Sequence, residues 1–124
     1  MSKKFASQGD MTQKEISFVE VGKGLWAFTA EGDPNSGFII GDESVMIVEA
    51  QATPRLAHKV IEKVRSVTDK PISHLVLTHY HAVRVLGASA YGAPEIIMSD
   101  AARSMVVERG QEDWDSEFQR FPRL

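Results

Sequence analysis

The sequence predicts an α+β domain, a mixed and mostly antiparallel sheet flanked by helices, on the strength of three observations. Two pairs of β-forming runs open the chain, an amphipathic helix follows, and a continuous apolar strand then ends at two histidines. The remaining residues extend this frame.

Ile16-Ser-Phe-Val-Glu-Val21 and Leu25-Trp-Ala-Phe-Thr29 flank Gly22-Lys-Gly24, which predicts a hairpin. Phe38-Ile-Ile40 and Val45-Met-Ile-Val48 flank Gly41-Asp-Glu-Ser44, which predicts a second. Four short antiparallel strands are therefore expected first. Thr53 then stands as an N-cap with Pro54 at the first helical position, and Leu56, Val60, Ile61, Val64 and Val67 share one helical face. Ile72-Ser-His-Leu-Val-Leu-Thr78 has the continuous apolar middle of a strand covered on both faces. Beyond it we expect a short helix over Val85–Tyr91, a strand over Glu95–Met98, and a helix from the N-cap Ser99 to about Arg109, ended by Gly110. Trp114, Phe118 and Phe121 are spaced for a last, separate amphipathic helix. Asp33-Pro-Asn-Ser36 reads as a turn.

A chain of 124 residues allows one domain, expected over residues 14–124, behind a polar, aperiodic mobile tail over residues 1–13. The net charge of -3 gives no basic excess to attract nucleic acid. No apolar run approaches the roughly 20 residues of a membrane span, and the N-terminal residues are too polar for a signal peptide. A cytoplasmic location is the default expectation, with no membrane and no nucleic acid as partners. The absence of cysteine excludes disulfides and thiolate chemistry, so any metal must be held by His, Asp or Glu.

Chemistry concentrates in Thr78-His79-Tyr80-His81-Ala82-Val83-Arg84-Val85-Leu86-Gly87, just past the end of a buried strand, where sites in layered α/β proteins collect. Two histidines two apart on extended backbone face one side, so both rings can meet one cation at about 2.0 to 2.1 Å. The alternative is a pair of merely hydrogen-bonded histidines. Tyr80 should point the other way, into the core. His58 is expected in solvent, and His74 in a structural hydrogen bond.

The run from Ile72 through Thr78-His79-x-His81 to Gly87 resembles the Thr-His-x-His-x-Asp-His-x-x-Gly signature of metallo-β-lactamase-fold hydrolases. Gly24-Leu-Trp26, Asn35-Ser-Gly-Phe-Ile-Ile40 and Val45-Met-Ile-Val-Glu49 are similar to that family's opening hairpins. The resemblance covers about Ile16 to Arg109 and implies the N-terminal half of an αββα sandwich, with His79 and His81 as two ligands of a first metal site. The third ligand would come from a later region of the family's chain.

The sequence departs from the family motif at Val83, where the aspartate should be, and at Arg84, where its last histidine should be. Valine cannot coordinate, and a guanidinium about 4 Å from a cation costs on the order of 4 kcal/mol per unit metal charge at an effective dielectric of 20. A standard two-metal centre is therefore not expected. The resemblance then implies a metallo-β-lactamase-like hydrolase with at most one zinc or other divalent ion. The alternative is a non-catalytic scaffold that binds an anion or a partner. Arg84 reads as a clamp for a small anionic ligand or as an ion-pair partner of Glu49 or Asp100. Glu49 reads either as a structural carboxylate that closes its strand against solvent or a helix end, or as a group behind the site that accepts from a motif residue or from Arg84.

Half of a sandwich leaves one sheet face to be covered. We expect a missing C-terminal half or a second copy of the chain to cover it, with Trp114, Phe118 and Phe121 available to an interface. The end at Phe121-Pro-Arg-Leu124, without a polar tail, suggests truncation.

Overall fold

The computed structural model describes residues 15–30 and 34–122. The tail expected over residues 1–13 lies outside them, as does Asp33 of the expected turn.

The first four strands form as the alternating pattern requires. β1 (Ile16–Gly22) and β2 (Leu25–Ala30) pair antiparallel around Lys23-Gly24, where Gly24 takes φ +73° and a Cβ would come within 3.0 Å of the Ile40 carbonyl oxygen. β3 (Ser36–Ile40) and β4 (Val45–Val48) follow, closed by a hydrogen bond from the Gly41 N–H to the Ser44 carbonyl at 2.8 Å. Helix α1 (Pro54–Val67) starts where the sequence places it, with Thr53 Oγ1 accepting from the Leu56 N–H at 3.2 Å. It returns the chain to β5 (Ile72–Val76), which lies parallel to β4.

After β5 the structure departs from the sequence expectation twice. Val85–Tyr91 is not one helix: α2 (Ala82–Val85) ends before Gly87, and a 3-10 turn spans Ala88–Tyr91. The break falls at Gly87, which is buried and clamped against the Ala50, Gln51 and Thr53 carbonyls. β6 (Glu95–Ile97) then adds parallel to β5, and α3 (Asp100–Arg120) begins at the N-cap Ser99. α3 runs straight through Gly110 instead of splitting there. Gly110 does not adopt a positive φ; the pair Arg109–Asp113 binds across it and Gln111–Asp115 just after it, both at i, i+4 spacing. A helical glycine costs only about 1 kcal/mol, which such contacts offset in part.

Among the described residues one six-stranded sheet runs in the order β1-β2-β3-β4-β5-β6. Register places Trp26, Phe38, Ile47 and Leu75 in one row across it. Phe38, Ile47 and Leu75 are buried in one core with Ala57, Val60 and Val64 of α1. Full burial of a Val or Leu side chain is worth about 1.5 to 3 kcal/mol, so this face anchors the domain. The rows on the other face are apolar yet open: Leu25 and Ile39 lie side by side, 42% and 41% exposed, and Ile97 beyond them is 45% exposed. Among the described residues no helix is long and apolar enough to cross a membrane.

Candidate functional site

The site lies at the carboxyl ends of β4 and β5, where two loops meet. The first, Glu49-Ala-Gln51, leaves β4 with two buried non-glycine residues at positive φ, +70° at Glu49 and +69° at Gln51. Left-handed backbone costs an L-residue about 1 to 2 kcal/mol, so the surroundings must hold this elbow in place. They do so with hydrogen bonds. Glu49 N–H donates to the Val76 carbonyl at 2.9 Å, Ala50 N–H to that of Arg84 at 2.7 Å, and the Gly87 N–H donates to Gln51's carbonyl at 3.0 Å.

The second loop carries the histidines. Its backbone is no longer regular strand after Val76, so the alternation expected from sequence does not position them. The rings meet all the same: His79 Nε2 and His81 Nδ1 are 3.1 Å apart, with the ring planes at 74°. The other nitrogen of His79 faces inward. Its Nδ1 lies 2.8 Å from Thr78 Oγ1 and 4.0 Å from Glu49 Oε2.

Glu49 is where the two loops are joined. Its Oε1 accepts the Thr78 N–H at 2.7 Å, and its Oε2 is a buried oxygen without a hydrogen-bond partner, 3.7 Å from Arg84 Nε. Arg84 also reaches the other side of the site, its Nη1 donating to the Asn35 carbonyl at 3.4 Å. Of the two roles open to Arg84 in sequence, the geometry supplies the ion-pair contact with Glu49. Its guanidinium stays about one-third exposed.

Tyr80 is not in the core as expected. It packs edge-on to His81, ring centres 5.1 Å apart, and with His81, Ala82 and Val83 lines a cleft of about 370 Å³ whose opposite wall is α3. That wall presents Arg109, Asp113, Glu117 and Arg120. The charges are paired, Arg109 with Asp113 at 3.7 Å and Arg120 with Glu117 at 3.8 Å. His58 is exposed, and His74 bonds Ser73 and Glu95 at the far end of β5, as expected.

The fold recurs in solved structures. The chain superposes on a metallo-β-lactamase of Hirschia baltica with a TM-score of 0.65 at 18% identity, covering 77% of this chain and 48% of that one. The fold is that of the metallo-β-lactamases. A Pseudomonas aeruginosa metallo-β-lactamase in its mono-zinc form gives a TM-score of 0.65 at 19% identity, and one from Pontibacter korlensis gives 0.67 at 14%. They are covered over 46% and 49% of their lengths. The chain thus spans about half the length of the metallo-β-lactamases it matches. In sequence it is similar to a linear primary-alkylsulfatase of Pseudomonas sp., 31% identical over 66 residues, which is 53% of this chain and 12% of that protein. No protein-family model matches it.

For a metallo-β-lactamase fold the natural question is whether these residues suit a metal. Two imidazole nitrogens bound tetrahedrally at about 2.05 Å sit about 3.3 Å apart, close to the 3.1 Å separating His79 Nε2 and His81 Nδ1. His79 would keep Nδ1 for Thr78 and Glu49, the outer support that ligating histidines usually have. The pair fits, but among the described residues no group of three or more His, Asp or Glu forms a complete cage.

Gln51 and the α3 wall carry no site expectation in the sequence. Arg109, Asp113, Glu117 and Arg120 are spaced four, four and three apart, a helical signal that disappears once the helix is ended at Gly110. Gln51 carries no comparable signal, because only its positive φ marks it.

Proposed function

We propose that this chain carries part of a metal-dependent hydrolase site, in which His79 and His81 hold one divalent ion, zinc by preference, and Arg84 binds an anionic substrate group. The observation carrying the proposal is the facing pair of His79 Nε2 and His81 Nδ1, linked to the Arg84 guanidinium through the Glu49 carboxylate that faces both His79 and Arg84. The third ligand lies outside the described residues. A divalent ion there would supply Lewis acidity for hydrolysis. Glu49 and Thr78 orient His79, and Arg84 offers a planar fork of donors suited to a sulfate, phosphate or carboxylate. The alkylsulfatase relative makes an alkyl sulfate ester the first substrate to try.

The test is metal analysis of protein purified without added metal, beside a His79→Ala, His81→Ala double variant. Stoichiometric zinc in the first and none in the second is expected; equal content in both would remove the proposal.

Val83 and Arg84 support a second reading, a non-catalytic scaffold that keeps anion binding, because neither can serve as a second-site ligand. Under it, sulfate binding lost in Arg84→Ala persists without metal. For the open sheet face we propose a second copy of the chain as cover, since symmetric pairing needs no other molecule. A monomer molar mass in solution would count against that cover.

A further inference from the structure

We infer that Gln51 is a positioning residue, one that sets the relative placement of the histidine pair and Arg84. The inference rests on the reading of that loop as the functional site. Gln51 is 3% exposed and left-handed at φ +69°, a conformation that glycine adopts without strain. A residue that only filled space would not need an amide here.

The amide nitrogen makes two hydrogen bonds. Its Nε2 donates to the Pro34 carbonyl at 2.9 Å and to Ser36 Oγ at 2.9 Å, while Ser36 Oγ donates to the Glu49 carbonyl at 2.9 Å. The side chain therefore fixes the 34–36 segment to the elbow. Its backbone carbonyl, accepting from Gly87, fixes the far end of the histidine loop to the same point at 3.0 Å.

Both walls around Arg84 thus depend on one residue. Arg84 reaches Asn35 on the first wall and Glu49 on the elbow, and Glu49 in turn faces His79. Without the amide, the 34–36 segment keeps only the Ser36–Glu49 bond to the elbow, and the Arg84 anchor at Asn35 gains freedom to move relative to the histidines. The left-handed backbone at Gln51 is then the local cost of aiming the amide at Pro34 and Ser36.

Two variants test this. Gln51→Gly suits the backbone and removes the amide; Gln51→Met keeps the side-chain volume and removes only the hydrogen bonds, and it gives the same readout if the glycine variant does not fold. The measurement is the NMR ring signals of the histidines and the Arg84 Nε–H signal, without metal or substrate. Signals of His79, His81 and Arg84 are expected to shift while those of His58 and His74 stay in place. If His79, His81 and Arg84 are unmoved, or all four histidines shift alike, the inference is overturned. A zinc titration adds a second arm, with affinity expected to fall about 10-fold or more, as for other outer supports of a metal site. Unchanged zinc affinity in the variants would also overturn it. A wild-type protein that takes no zinc would instead refute the proposed function, with the ring signals still deciding the role of Gln51.

Discussion

The two walls of the cleft are built in opposite ways. On one side, the loop after β5 that lines the cleft is braced from behind by the elbow Glu49–Gln51, through buried polar contacts and a clamped glycine. On the other, α3 has Ala102 as its one buried residue among those described, and its cleft-facing charges are paired within the helix itself. The first wall fixes geometry, and the second is free to vary. Side chains that must converge on one point need placement to a fraction of an ångström, whereas a wall that only shapes a cleft does not. Substitutions should therefore have large effects on the first side and small ones on the second.

The sharpest contrast uses two glycines. At Gly87 a Cβ would overlap the Ala50 carbonyl oxygen and come within 2.8 Å of that of Thr53. Gly87→Ala should lose about 3 kcal/mol, the upper end of what overpacking usually costs, because the clash is with backbone. Urea unfolding measures it, and a midpoint equal to wild type would break the contrast. Glu49→Ala comes next. It leaves the Thr78 N–H without its acceptor and Arg84 without its carboxylate, at a cost of about 1 to 3 kcal/mol. The His79 ring should also lose its fixed orientation, visible as exchange broadening of its NMR signals. A sharp, unshifted His79 signal would show that Thr78 alone holds the ring.

On the α3 wall the glycine experiment reverses sign. Nothing lies within 4 Å of a Cβ at Gly110, and its backbone is not left-handed. Gly110→Ala should stabilise by about 0.5 to 1 kcal/mol through helix propensity. A loss in the urea midpoint would mean that the helix bends or packs at this point.

This pair of glycines also shows what was legible in the sequence. The strands, the Thr53-Pro54 helix start and the Ser99 cap follow local rules of alternation and capping, and each appears in the structure. Gly110 was read by the same local rules as a helix end, and there they failed. A glycine ends a helix where its φ turns positive, and sequence does not report φ. The same blindness applies to Glu49 and Gln51, ordinary polar residues in sequence that take glycine-like backbone because partners distant in the chain hold them there. The histidine pair was visible for a different reason: its residue types carry the chemistry, although the bend that brings the rings together is not the strand alternation that predicted it.

The smallest effect probes the floor beneath the braced wall. Tyr91 is buried, its hydroxyl makes no well-formed hydrogen bond, and burial pushes the phenol above its usual range, with neighbouring Ser36 opposing only part of that shift. Removing an unsatisfied buried hydroxyl is close to neutral, so Tyr91→Phe should change stability at neutral pH by no more than about 0.5 kcal/mol. The difference emerges in alkali. An unfolded tyrosine loses its proton near pH 10, whereas the buried one keeps it, so the unfolded state binds fewer protons and stability falls as pH rises past that point. The phenylalanine variant lacks this contribution. Its urea midpoint should therefore fall less steeply than wild type between about pH 9 and pH 11. Parallel slopes would mean that the phenol is reached by water in the folded state, and that the floor under Ser36 and the elbow is less closed than its burial indicates.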